Sequence, residues 1–171
     1  MTGNLARIVK HLCFPSWRLR RALSRRSLEA ITQAIRDSER NHTGEIHFAV
    51  ENALNWHQLM RRVSARERAI EVFSSLRVWD TEQNNGVLIY LLLADRRVEI
   101  IADRGIDGRV EPGDWEGICR NMKAAFREGE FETGIIIGVE AVGIHMARHF
   151  GGADLQGNEL PDRPSIINHN K

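Results

Sequence analysis

Residues Val87 to Ala94 form a nearly unbroken apolar run bounded by turn residues, and no other stretch limits the fold so tightly. Such a run predicts a strand covered on both faces. Asp95-Arg96 reverses the chain into a second strand over Val98 to Ala102, with the aspartate supporting the turn. With a two-residue loop, Asp103 pairs roughly opposite Leu88, on the order of 10 Å from Asn85 at about 3.3 Å per residue. The polar segment before the run and the Asp103-Arg104-Gly105 exit then lie at the same end of the hairpin. That edge is the best candidate site.

The flanking segments predict helices and one further strand. Ser27 can cap a helix to about Asn41, with Leu28, Ile31, Ala34 and Ile35 as its buried stripe, and Thr43-Gly44 ends it. Glu45 to Val50 alternates, with Ile46, Phe48 and Val50 on one face and His47 and Ala49 on the other, as in a half-covered strand. Ser64 and Glu67 match a capping box ahead of Ala69, Ile70, Val72, Phe73 and Leu76. Strand, helix and strand then make a crossover that favours a parallel, right-handed pair. In that arrangement Glu45 shares a sheet end with Asn85 and Asp103. Pro112 opens a helix with Trp115, Ile118, Met122 and Phe126 inward, ending at Gly129. Thr133 caps a last helix of about 13 residues, a core helix too short to span a bilayer.

At 171 residues, with 42% hydrophobic and 27% charged residues, the chain has the make-up of one soluble globular domain. A formal net charge of +1 argues against bulk electrostatic binding to nucleic acid. Cys13 and Cys119 form neither a disulfide framework nor a thiol-phosphatase loop, and read as reduced structural thiols. Residues 1–26 are basic and amphipathic, without the continuous apolar core of an export signal, so the expected location is the cytoplasm. Two readings of that segment are open. It is a helix packed on the domain with a solvated basic face, or an interfacial element that meets anionic lipid through anchors such as Phe14 and Trp17, peripherally at the inner membrane surface. Residues 27–150 make the α/β domain, and 151–171, rich in breakers, are expected to be a mobile polar tail.

Several residues together carry a family resemblance: Gly44-Glu45-Ile46, Asp80-Thr81, Asn85 to Tyr90, Asp103 to Ile106, and Phe131 with Gly134. Over roughly residues 27 to 150 the chain resembles the TPM-domain family, which includes a thylakoid-lumen protein of photosystem repair with reported acid phosphatase activity and small bacterial members, some calcium-binding. The resemblance implies a three-layer α/β/α sandwich, a small mixed β-sheet with helices on both faces. Many TPM proteins carry an export signal and a transmembrane helix. This chain shows neither, and so resembles a compact, stand-alone bacterial subgroup.

Glu45, Asp80, Asn84, Asn85 and Asp103 offer hard oxygen donors of the kind that calcium or magnesium prefers. A cation there can hold a phosphate and activate water, with Arg104 stabilising the departing charge. The opposing reading makes Asp80 and Asn84-Asn85 turn residues, Asp103 a strand end and Glu45 a solvated carboxylate. No consecutive metal loop, aspartyl-phosphate strand, nucleotide loop or flavin signal is present. His145 and His149 share a helical face but lack the glutamate of a zinc hydrolase. Gly134, Gly138 and Gly143 read as helix-packing positions, and Arg61, Arg62, Arg66 and Arg68 as solvated helix faces. Two functions therefore follow: a divalent-cation-dependent binding or scaffold module for a membrane-associated or protein partner, or a metal-assisted phosphomonoester hydrolase using Asp80 and Asp103 as ligands or base.

Overall fold

The computed structural model describes residues 2–152 and 159–168, with side chains from Leu5 onward. The elements in chain order are α1 (Thr2–Leu12), α2 (Trp17–Ala22), α3 (Arg25–Glu39), β1 (Glu45–Glu51), α4 (Trp56–Met60), α5 (Ala65–Ser75), β2 (Gly86–Leu92), β3 (Arg97–Ala102), α6 (Arg104–Asp107), α7 (Pro112–Arg127), α8 (Phe131–Phe150) and β4 (Ser165–Ile167). The strands form one mixed sheet in the order β3-β2-β1-β4. β1 runs parallel to β2 and β4, while β2 and β3 are antiparallel.

Helices cover both faces, as the alternation of side chains requires. Ile46, Phe48 and Val50 join Val87, Ile89 and Leu91 in a core closed by α3, α7 and α8. Ala49, Leu88, Tyr90, Leu92 and Ile101 face the other way, onto α4 and α5. The capping box of α5 forms as its sequence predicts, with Ser64 accepting from the Glu67 amide and Glu67 from the Ser64 amide. Gly134, Gly138 and Gly143 lie against Phe126, Met122 and Ser38, so they do permit close packing of α8 on α7 and α3. Among the described residues no helix is long and apolar enough to cross a membrane.

The structure corrects several sequence expectations. Ser24 rather than Ser27 caps α3; its extended backbone lets the hydroxyl accept from the Ser27 amide, which places Ser27 inside the first turn. β1 is buried along its whole length, so His47 and Ala49 are covered as well as Ile46 and Phe48. The last helix starts at Phe131, ahead of Thr133, and has 20 residues. Its Ile144 points outward at 62% exposure, so one side of this helix faces away from the core.

The hairpin register also shifts. Leu92 pairs with Arg97, leaving residues 93–96 as the loop. Leu93 and Ala94 donate to the carbonyls of Glu51 and Asn52 instead of pairing with β3. Asp103 consequently donates its amide to Gly86, not opposite Leu88. The expected polar tail supplies β4 and buries Leu160; residues 153–158 and 169–171 of that stretch lie outside the described residues. Its attachment is long-range: Glu45 accepts the amides of Glu159 and Leu160 at 3.0 and 3.2 Å, and Arg36 pairs with Asp162 at 2.7 Å.

Candidate functional site

The starts of β1 and β2, the end of β3 and the N-terminus of α6 meet at one rim of the sheet. The loop before β2 turns through Asn84, whose left-handed backbone (φ 52°) is tolerated because an asparagine side chain bonds locally. Thr81 steadies this loop, its carbonyl accepting from the Asn84 amide at 3.2 Å and its hydroxyl from the Asn85 amide at 3.0 Å. Asp103 ends β3 and caps α6, its Oδ1 accepting from the Arg104 amide at 2.7 Å.

These two loops are closed on each other. The Gly105 amide donates to the Asn84 carbonyl at 2.9 Å, and Arg104 Nε donates to Asn84 Oδ1 at 3.2 Å. A Cβ on Gly105 would stand 2.4 Å from that carbonyl, so the contact needs glycine. Asn85 is fully buried and its Nδ2 donates to the Thr43 carbonyl at 3.0 Å, tying the strand starts together. Among the described residues, Asn85 Oδ1 and Asp103 Oδ2 are shielded from water and have no hydrogen-bond partner.

Four of the six candidate residues, Asn84, Asn85, Asp103 and Arg104, are thus brought together. Glu45 shares their rim: it pairs with Gly86, which pairs through its carbonyl with Asp103, so the three form one row across β1, β2 and the end of β3. Two strand spacings, about 10 Å, separate Glu45 from Asp103. The Glu45 carboxylate is buried and accepts the two backbone amides of the C-terminal segment. Asp80 is exposed and bonded to Arg77 at 2.8 Å.

Several polar groups that shape the molecule were missed in the sequence. Burial pushes the Glu39 carboxyl up to about 8, and the Glu45 and Asp162 carboxylates add to this against the bond from the Ile46 amide. His47 is held neutral by burial; its Nδ1 donates to the Pro161 carbonyl and its Nε2 accepts from Ser165 Oγ. On the face toward α5, the buried Glu51 accepts from Tyr90 Oη at 2.5 Å and pairs with Arg68 at 2.9 Å. Arg68, expected on a solvated face, is therefore an interior partner. Only long-range pairing creates these contacts, so no local pattern announces them.

The two histidines of α8 do not form a ligand pair. His145 leans on the Trp115 ring at 5.6 Å, and burial lowers its pKa. The His149 carbonyl accepts from Arg109. Among the described residues no three His, Cys, Asp or Glu side chains are grouped as a metal-binding set. Cys13 and Cys119 are both free.

Comparison with known proteins fits this architecture. The chain is similar to the BA42 protein of the psychrophilic bacterium Bizionia argentinensis, with 31% identity, a TM-score of 0.75, and coverage of 85% of this chain and 95% of that one. In fold it is similar to the N-terminal domain of a protein from P. gingivalis, at 21% identity and a TM-score of 0.61, with 76% of this chain and 82% of that one covered. No curated protein matches it. Residues 19–144, most of the chain and all of the rim, match the TPM domain, and the chain belongs to that family.

Proposed function

We propose that this TPM domain is a binding module whose rim takes a divalent cation, calcium or magnesium, where Asn84-Asn85 meets Asp103-Arg104. The observation that carries the reading is the pair of shielded oxygens, Asn85 Oδ1 and Asp103 Oδ2, without partners among the described residues. Each unsatisfied oxygen costs roughly 1–3 kcal/mol, which a ligand relieves. Both are hard donors of the type these cations select. Asp80 and Asn84 stand in the adjoining loop as further oxygens, whereas the Glu45 carboxylate in the same row is already held by the Glu159 and Leu160 amides. With so few free carboxylate oxygens the affinity is weak, in about the 10⁻⁴–10⁻³ M range. The cation, when bound, supplies a positive centre beside the Arg104 guanidinium, and the two together suit a phosphate or carboxylate on a partner.

Calcium and magnesium titrations followed by NMR test this. Shifts confined to Thr81, Asn84, Asn85 and Asp103, abolished by Asp103→Asn and unaccompanied by phosphate release from a phosphomonoester, support the module. Titration without shifts at the rim overturns it. The second reading, a phosphomonoester hydrolase on the same rim, is favoured by the exposure of Arg104, a residue type that stabilises phosphoryl charge. Cation-dependent phosphate release that disappears in Asp103→Asn is its expected signature.

A further inference from the structure

α1 meets the body through Arg7, His11 and the partly buried Ile8, which packs against the core. Arg7 and His11 face the body, bonded to Asp95 at 2.9–3.0 Å, and Arg7 also donates to the Val63 carbonyl. Leu5, Val9 and Leu12, spaced as one helical stripe, face out at 66%, 53% and 41% exposure. A water-facing amphipathic helix buries such a stripe; this one presents it. Trp56 at 54% exposure lines the same recess as Leu12 and Phe14, so the apolar surface continues onto α4.

The charge beside that stripe is predominantly basic, and the Asp95 carboxylate beneath it is held by Arg7 and His11, with Lys10 at 3.8 Å. Residues 1–26 hold seven arginines and lysines and no acid, whereas the whole chain has 24 basic and 23 acidic residues, so the remainder is net acidic by six. Next to α1, a recess of about 750 Å³ is lined by Lys10, Phe14, Trp17, Arg18, Arg21 and Arg96, with no carboxylate in its wall. Arg18 stacks over Phe14 and Trp17 at 5.3 and 5.8 Å, which holds its guanidinium at the mouth. α1 lies outside the residues that match the TPM domain.

We propose that this face docks on an anionic lipid bilayer, with the Leu5-Val9-Leu12 stripe and Trp17 entering the interface and the Lys10-Arg18-Arg21-Arg96 recess receiving lipid phosphate. Aliphatic and tryptophan anchors interleaved with arginine are the composition of interfacial helices, since the apolar groups leave water while the cations meet headgroups. A nucleic acid would satisfy the arginines but give the aliphatic stripe nothing to bury against. The face lies at the strand ends opposite the rim, so the inference does not depend on cation binding there.

Flotation of the full chain with vesicles, in the presence of a chelator, tests it separately from the rim. The chain floats with phosphatidylcholine vesicles containing phosphatidylglycerol and stays behind with phosphatidylcholine alone. Free inorganic phosphate at millimolar concentration leaves the flotation unchanged. Arg18→Ala with Arg21→Ala lowers the apparent affinity about tenfold or more. Leu5→Ser, Val9→Ser and Leu12→Ser together, at exposed positions and with all charges kept, lower it to a similar extent while the circular dichroism and melting curve stay as in the parent. No flotation with anionic vesicles overturns the proposal. So does an apolar triple variant that floats as well as the parent, or a tighter, stripe-independent complex with duplex DNA, because the contact is then purely ionic.

Discussion

His11 Nε2 stands 2.9 Å from Asp95 Oδ1, 84 residues further along the chain. The other ring nitrogen, Nδ1, accepts the Leu54 amide at 3.0 Å, so the imidazole proton lies on Nε2 and is donated to the carboxylate. With Arg7 on Oδ2, this contact holds α1 against the sheet end where β1 and β2 finish. Asn85 and Asp103 lie at the opposite end, about 20 Å away along seven-residue strands. The basic N-terminal segment and the oxygen-lined rim are therefore separate surfaces, and a ligand on one does not touch the other.

Removing the Asp95 carboxylate leaves Arg7 without its counter-ion and His11 Nε2 without its acceptor in a partly buried setting. Asp95→Ala is expected to destabilise the fold by about 3 kcal/mol in urea denaturation and to speed proteolysis within α1. Burial alone would raise the Asp95 pKa, but the bonds from His11 and Arg7 win and take it from 3.8 to about 2. Its contribution of roughly 2 kcal/mol is present above pH 3.8 and is lost as pH falls toward 2. The stability gap between parent and Asp95→Asn should close over that window.

Gly86 separates Glu45 from Asp103 in the row across the sheet because no side chain fits there. A Cβ would lie 1.9 Å from the Val78 carbonyl oxygen, a backbone atom that cannot rotate away. Gly86→Ala is expected to cost about 3 kcal/mol or more and to shift the amide resonances of the Asn84-Asn85 loop. Gly117→Ala in α7, where the new methyl meets only the end of Arg120 at 3.6 Å, should instead gain about 1 kcal/mol. Thermal melts of the two variants against the parent make the comparison.

Glu39 gives the C-terminal attachment a pH dependence of the opposite sign to Asp95. Its carboxyl is raised from 4.5 to about 8, chiefly by burial and then by Glu45 and Asp162. The folded protein therefore holds a proton there that the unfolded chain gives up, and the associated stability, fully present below pH 4.5, is lost as pH rises through about 8. Glu39→Gln, neutral at every pH, should flatten the melting temperature between pH 5 and 9 and slow amide exchange at Glu159 and Leu160 at the alkaline end. An unchanged slope in the variant would place the pH response elsewhere.

What the sequence revealed and what it hid divide along the range of the forces involved. The capping box at Ser64, the Pro112 start and the apolar run of β2 are set by neighbours within a few residues, and each forms where its pattern lies. The convergence of Asn85 with Asp103 was also legible, because a hairpin brings its two outer ends together whatever the loop. The register was not, since Leu93 and Ala94 bond to β1 and lengthen the turn. β4 carried no signal: three residues among breakers become a strand because Ala49 to Glu51 of β1, over 110 positions away, pair with them, while Glu45 and His47 hold the segment just before. For the same reason Glu45, read as a candidate ligand, is found already accepting two backbone amides.

Asp103 offers the sharpest test of the rim, because its two oxygens pull in different directions. Oδ1 caps α6 through the Arg104 amide, a role that asparagine fills equally well. Oδ2 is shielded and unpartnered among the described residues, and replacing the acid removes the cost of that charge. Asp103→Asn is therefore expected to be as stable as the parent, or up to about 1 kcal/mol more stable, in chelator. Adding calcium or magnesium should raise the parent's melting temperature and leave the variant's where it was, since binding to the folded state alone stabilises it. Equal shifts in both proteins would mean that the cation binds away from Asp103. A variant that melts well below the parent in chelator would mean that Oδ2 already has a structural partner, and that the rim needs no cation to complete it.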